Sequence, residues 1–194
     1  MEPLPVSFFE RAPRVVAAAL IGALLIFHEK IVRIVETEAY HGPEDPASRA
    51  ALNGRKGRFA IMWERPGLSL VYNVHRYWMF NVVAHEKGKV GAILIRAGEP
   101  INIAADLSGP GKLTRALGIT PLYHGRDLTI KDDIYLAAPE EKQKITIGIS
   151  YRIGIKRDLP IPCRFFDIKS KAVSRHKRAI REIEILWGNV GDML

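Results

Sequence analysis

The sequence predicts an α+β fold: a single domain over residues 1–194, with a mostly antiparallel curved sheet flanked by helices. Short β-branched and aromatic runs recur along the chain. They are punctuated by turn signals such as Gly42-Pro43, Pro66-Gly67 and Gly109-Pro110-Gly111. Two of these runs face each other across His75-Arg76, which reads as a hairpin. Helical periodicity is confined to short stretches, chiefly near the two ends.

Residues 8–23 read as a helix with Pro13 inside its first turns. The run Val15–Phe27 is apolar throughout, but its 13 residues fall short of the roughly 20 that cross a bilayer. Arg11 and Arg14 precede it as they would in a signal peptide. Phe27-His28-Glu29 is no cleavage site, however, so a buried helix and no membrane association are expected. Residues 24–40 read as a strand, or as a hairpin bent near His28-Glu29-Lys30. A long connection, 41–65, carries Arg49, Arg55, Lys56, Arg58 and Arg65; loops of that length are usually functional or mobile. Leu68–Val74 and Tyr77–Ala84 read as paired strands, and Val90–Arg96 as a third. Asn102–Leu107 is helix or turn. Lys112–Leu117 is a short helix stopped by Gly118. Residues 127–168 alternate short strands with turns. Ser174–Trp187 reads as a basic amphipathic helix with Ile180, Ile183 and Trp187 on one face.

Lys and Arg outnumber Asp and Glu 29 to 21, a formal charge of +8 that favours a polyanionic partner such as nucleic acid. Charge richness of the thermophile kind would produce the same excess. The single cysteine, Cys163, precludes an internal disulfide framework and fits a reducing, cytoplasmic setting. The six histidines are too scattered for a zinc-ligand pattern.

The densest chemistry lies in residues 34–45. Alternation along a strand places Ile34, Glu36, Glu38 and Tyr40 on one face, running into the Gly42-Pro43 turn. Two carboxylates beside a tyrosine make a poor core, because uncompensated buried charge is costly. They would suit a general base beside a planar ligand. The bland alternative is an exposed edge strand with solvated glutamates.

Ile-Val-Glu-Thr-Glu-Ala-Tyr-x-Gly-Pro-Glu-Asp at 34–45 also resembles the signature strand of the alkyladenine (3-methyladenine) DNA glycosylase family. The likeness continues in order through Phe8-Phe9-Glu10, Pro66-Gly67, Val71-Tyr72, Asn81-Val82-Val83 and Leu94–Pro100. Gly109–Leu113, Arg126-Asp127-Leu128 and Arg164-Phe165-Phe166 complete it, so that it covers roughly residues 6–175. The 176–194 tail lies beyond it.

The resemblance implies an enzyme that flips alkylated or deaminated purines, hypoxanthine among them, out of duplex DNA and hydrolyses the N-glycosidic bond. Such an enzyme extrudes its target because the bond is out of reach inside the stack. It implies Glu38 as the base that activates water, Glu36 being the runner-up, and Arg96 as the cation that orients that water. It implies Tyr40 and Tyr72 as pocket walls and Asn81 at the base edge. The unaided readings are an ion pair for Arg96, core positions for the tyrosines and a buried amide for Asn81. The family's wedge falls at the hairpin tip. The tip is one residue shorter here, which points to His75 or Val74, with Arg76 beside it. The family's pocket histidine is replaced by Arg49. Gly109-Pro110-Gly111-Lys112 is no Walker loop, since Asp106 and Leu113 stand at its key positions. It reads as a helix start whose N–H groups and Lys112 would meet a DNA phosphate.

The resemblance calls for no metal, no organic cofactor and no catalytic lysine. The expected partner is double-stranded DNA with a damaged purine, met by a monomer that is nucleoid-associated if the cell is prokaryotic. The rival reading is a non-catalytic nucleic-acid-binding module. The same sheet architecture resembles the C-terminal domain of tRNA formyltransferases, and a pure binding module would not require Glu38 with Arg96.

Overall fold

The computed structural model describes residues 1–139, 144–174 and 179–187. The N-terminal helix expected over 8–23 is two helices, α1 (Val6–Phe9) and α2 (Pro13–Ala19). Pro13 opens α2, where its missing N–H is not needed. It also keeps Ala12 out of helical geometry (φ −51°, ψ 137°), which breaks the chain between the two. The rest of the apolar run is strand β1 (Leu24–Phe27), reached through Gly22 at φ 92°. A fully buried run has no solvent face, so its periodicity cannot separate helix from strand.

β1 and β2 (Lys30–Tyr40) form the bent hairpin anticipated at His28-Glu29. β3 (Ser69–Val74) and β4 (Tyr77–Val83) pair across His75-Arg76, and β5 (Ala92–Pro100) follows. The long connection carries α3 (Arg49–Asn53), capped by the Ser48 hydroxyl on Ala50 N at 3.2 Å, and a 3-10 segment, Gly57–Trp63. Residues 102–107 form neither helix nor strand, with a bend at 102–103. α4 (Pro110–Leu117) ends at Gly118 in the left-handed conformation (φ 84°), which relieves a side chain's steric cost there. β6 (Ile134–Ala137), β7 (Lys144–Ser150), β8 (Arg164–Asp167) and β9 (Arg181–Leu186) complete the sheet.

The C-terminal amphipathic helix expected over 174–187 is corrected by β9, which pairs antiparallel with β7. Glu182, Ile183, Glu184 and Ile185 alternate out and in, with the isoleucines buried and the glutamates exposed. That two-residue period prevails over the helical spacing of Ile180, Ile183 and Trp187; Ile180 is exposed. Residues 175–178, the centre of the basic run, lie outside the described residues.

The strands form one open, antiparallel sheet in the order β3-β4-β5-β2-β8-β7-β9, with β1 joining β2 to β6. β2 is thus interior, between β5 and β8. The α2 alanines, all fully buried, let the helix lie close on Ile34, Ala39, Ile93 and Phe165. The Thr37 hydroxyl donates to Ala17 O at 2.8 Å on the same face. Among the described residues no helix is long and apolar enough to cross a membrane.

Strict alternation along β2 fails at one point. Val35 has no partner on β5 between the Ile34–Gly98 and Glu36–Ala97 pairs. This bulge puts two consecutive residues on one face and reverses the parity beyond it. Ile34 belongs to the α2-side core, whereas Val35 packs with Ala97, Phe166 and Val173 on the opposite face, the face of Glu36, Glu38 and Tyr40. The expectation that Ile34 shares their face is therefore corrected.

Strand packing is close at Gly148, where an added Cβ would lie 2.6 Å from the Phe166 ring. Gly148→Ala is expected to destabilise the protein by about 1–3 kcal/mol through overpacking. Calorimetry should show Tm lowered by several degrees, and an unchanged Tm would mean that the ring moves aside freely.

Candidate active site

The two bulged strands build a buried charge cluster. Arg96 has no partner opposite it on β2, lying between the Ile95–Thr37 and Ala97–Glu36 pairs, and its side chain reaches both glutamates. Its Nε lies 3.2 Å from Glu36 Oε1 and its Nη1 3.3 Å from Glu38 Oε2. From the other side of β2, Arg164 Nε donates to Glu36 Oε1 at 2.7 Å. Ser174 donates to Glu36 Oε2 through its amide (2.9 Å) and its hydroxyl (2.7 Å). Burial alone would raise the Glu36 pKa, but Arg96, Arg164 and Ser174 outweigh it and hold the carboxyl below its ordinary value.

Glu38 is equally buried but held differently. Its Oε2 accepts from the Tyr40 hydroxyl at 2.8 Å, and its Oε1 from the Ile153 amide at 2.8 Å. Burial, and next the Glu38 charge, push the Tyr40 phenol well above the usual tyrosine range, so it remains a donor.

Above the cluster opens a cavity of about 690 Å³. Arg96, Leu94 and Met79 contribute to its lining, with Tyr40 and Tyr72 as aromatic walls. Its rim is the β3–β4 tip on one side, with Val74, His75 and Tyr77. On the other is the loop Ile153–Arg157, which brings Lys156 and Arg157. Glu38 has no exposed surface, and lies under Tyr40 and Arg96. Arg49 turns into the cavity, its guanidinium 4.8 Å from the Tyr72 ring centre and 5.7 Å from that of Phe59. Asn81 lies behind this cavity, on a small void shared with Tyr40, Arg49 and Tyr72. Its amide donates to Leu70 O (3.0 Å) and Met79 O (3.3 Å).

His75 adopts φ 52°, unusual for a residue with a Cβ, and stands exposed at the hairpin tip with Arg76. Lys112, by contrast, points to its own loop: its ammonium binds Asp106 at 2.7 Å and Ser108 Oγ at 3.1 Å. Of the nine residues anticipated from the sequence, Glu38, Arg96, Tyr40, Tyr72, Arg49 and His75 converge on the cavity or directly beneath it. Asn81 lies behind the cavity, and Arg76 and Lys112 lie outside its lining. Among the described residues no three His, Cys, Asp or Glu side chains gather as a metal site requires.

Three supporting residues escaped the sequence reading. Arg152 is buried; its guanidinium lies 4.6 Å from the Tyr40 ring centre and donates to Ala39 O (3.0 Å) and both Asp45 oxygens (2.6 and 2.8 Å). It also binds Asp158, so it ties the loop after β2 to the loop that carries Ile153. Beside it Cys163 is buried, and burial pushes its thiol up to about 11. Asp45 and Arg164 complete the set. Asp45 and Arg164 stood in the family motifs without a role, and the only sequence signal of Arg152 was a charge inside a turn-rich stretch.

A carboxyl whose folded pKa is depressed contributes stability that is fully present above its unfolded value, near 4.5 for Glu36, and is lost as pH falls through the folded value. Glu36→Gln should therefore lower Tm at pH 7, by about 3 kcal/mol of stability or more, because Arg164 keeps its charge without its carboxylate. Its Tm should also fall less steeply than wild type as the pH drops below the unfolded value near 4.5. Parallel acid curves would place the titrating carboxylates elsewhere.

A family model described as methylpurine-DNA glycosylase matches residues 7–171. A protein of Aeropyrum pernix is 37% identical over 186 residues, 89% of this chain and 93% of its own. One of Shouchella clausii is 39% identical over 196 residues, covering 90% and 96%, and one of Legionella pneumophila 40% over 161, covering 80% and 87%. Each of the three carries the name "putative 3-methyladenine DNA glycosylase". With that match across most of its length, laid over a buried carboxylate beneath an aromatic-walled cavity, the chain belongs to the methylpurine-DNA glycosylase family.

Proposed function

We propose that this protein is a monofunctional glycosylase that extrudes an alkylated or deaminated purine from duplex DNA and hydrolyses its N-glycosidic bond. The observation that carries the reading is Glu38, a fully buried carboxylate at the base of the cavity, held by a phenol, an amide and Arg96. Tyr40 and Tyr72 would stack on the base, and His75 at the tip would fill the space it leaves. The bond between C1′ and the purine nitrogen breaks with its electron pair going to the base, which a methylated cationic purine accepts to leave neutral and a neutral hypoxanthine accepts together with a proton from solvent. Water oxygen bonds to C1′ and one of its protons passes to Glu38. Water reaches Glu38 when the entering nucleotide displaces the Tyr40 hydroxyl or the longer Arg96 contact.

Glu36 suits this role less. Both its oxygens are occupied by arginine and serine donors, and its depressed pKa makes it a weaker base. Lys156, exposed at the rim, would serve a phosphate rather than the sugar. A binding module of the formyltransferase type would have no use for a buried Glu38–Arg96 pair under an open cavity.

Glu38→Gln keeps the shape but cannot take a proton. It should lower single-turnover release of 7-methylguanine by about 10²–10⁴-fold, the usual contribution of a general base. Affinity for the damaged duplex should stay close to wild type. Activity within tenfold of wild type in Glu38→Gln, with Glu36→Gln inactive, would move the base by two residues.

Arg49 should set lesion preference. Its guanidinium, stacked on Tyr72 inside the cavity, repels a cationic 7-methylguanine and can donate to the carbonyl of neutral hypoxanthine. Arg49→His should therefore lower the ratio of hypoxanthine to 7-methylguanine excision by about five- to tenfold, as about 1–1.4 kcal/mol of charge repulsion implies. An unchanged ratio with weaker binding to all DNA would place Arg49 on the phosphate backbone.

A further inference from the structure

A second cleft, of about 600 Å³, lies against the same hairpin as the first cavity. Arg76, Tyr77 and Trp78 line it from β4 and the tip, and Gly111, Thr114 and Arg115 from α4. Tyr77 is the wall common to both spaces.

The cleft is firmly built. The Thr114 hydroxyl donates to Trp78 O at 2.9 Å, fixing α4 to β4. Gly111 lies so close to the Tyr77 ring that an added Cβ would be 2.7 Å from it.

Its charge is unspent. Among the described residues neither Arg76 nor Arg115 has a carboxylate partner, whereas Lys112, one turn before Arg115 on α4, is engaged by Asp106. Two guanidiniums beside aromatic edges in an open cleft are suited to a phosphodiester.

Which strand supplies that phosphodiester follows from the common wall. If the tip enters the stack in place of the extruded base, that nucleotide leaves towards the first cavity. Its former partner, still in the duplex, then lies on the opposite side of the tip. That side is the one on which Arg76 and Arg115 stand. Resting on the glycosylase reading above, we propose that this cleft binds a phosphodiester of the strand complementary to the lesion, with Arg115 and Arg76 as its charge partners.

The test uses an oligonucleotide with a central tetrahydrofuran abasic analogue, single-stranded or annealed, and fluorescence anisotropy across a salt series. Arg115→Ala should weaken duplex binding by about tenfold and make the log–log salt slope shallower by about one. Its single-strand affinity should stay within twofold of wild type. Arg115→Lys should recover most of the duplex affinity, and an unchanged Tm at this exposed position excludes misfolding. Equal losses on both substrates would assign the cleft to the damaged strand, and no loss on duplex would remove it from the DNA interface; either result overturns the proposal. Failure of the glycosylase reading is separable, because wild-type protein would then release no base from methylated duplex.

Discussion

Two carboxylates buried side by side on one strand are tolerable only with cations built into the same interior. Arg96 and Arg164 supply them from the strands on either side of β2, and this requirement organises the rest of the molecule. β2 must be interior to the sheet so that arginines can approach from both sides. The bulges at Val35 and Arg96 must turn three charged side chains onto one face. The segment at Ser174 must return to close the last lone pairs of Glu36. Removing any one of these leaves a charge in the interior with an incomplete shell.

The cluster divides labour between residues that look alike in sequence. Glu36 is saturated by strong donors and acts as an anchor for Arg96. Glu38 has one oxygen that accepts only an amide hydrogen bond, and its neighbours include a phenol that burial keeps protonated. Arg152 extends the arrangement outwards. By binding Asp45 and Asp158 together and stacking on Tyr40, it joins the cavity wall to the loop that carries the Ile153 amide.

Much of this was legible in the sequence where local chemistry dictates the outcome. The hairpin across His75-Arg76 follows from the two strand-like runs on either side of it, the α4 stop follows from Gly118, and the Glu38–Tyr40 neighbourhood follows from two-residue alternation beyond the bulge. What stayed hidden depends on partners distant along the chain. The Val35 bulge is a matter of register against β5, and no residue type announces it. Arg152 lies 107 residues from Asp45, and Arg164 lies 128 residues from Glu36. Ile183 fits a helix face with Ile180 and Trp187, or a strand face with Ile185, until β7 offers a ladder. The family motifs compensated for part of this, since their order along the chain records contacts that spacing alone does not.

The lone thiol has a bearing on how such a protein endures. Methylating reagents attack thiolates more readily than ring nitrogens, so an exposed, ionised cysteine would be a point of self-inactivation in any protein working amid alkylation damage. Cys163 has no exposed surface and its thiol ionises only near pH 11, leaving almost none of the reactive form at neutral pH. The same buried packing that supports the Arg152 loop thus leaves the molecule without an accessible soft nucleophile among its cysteines.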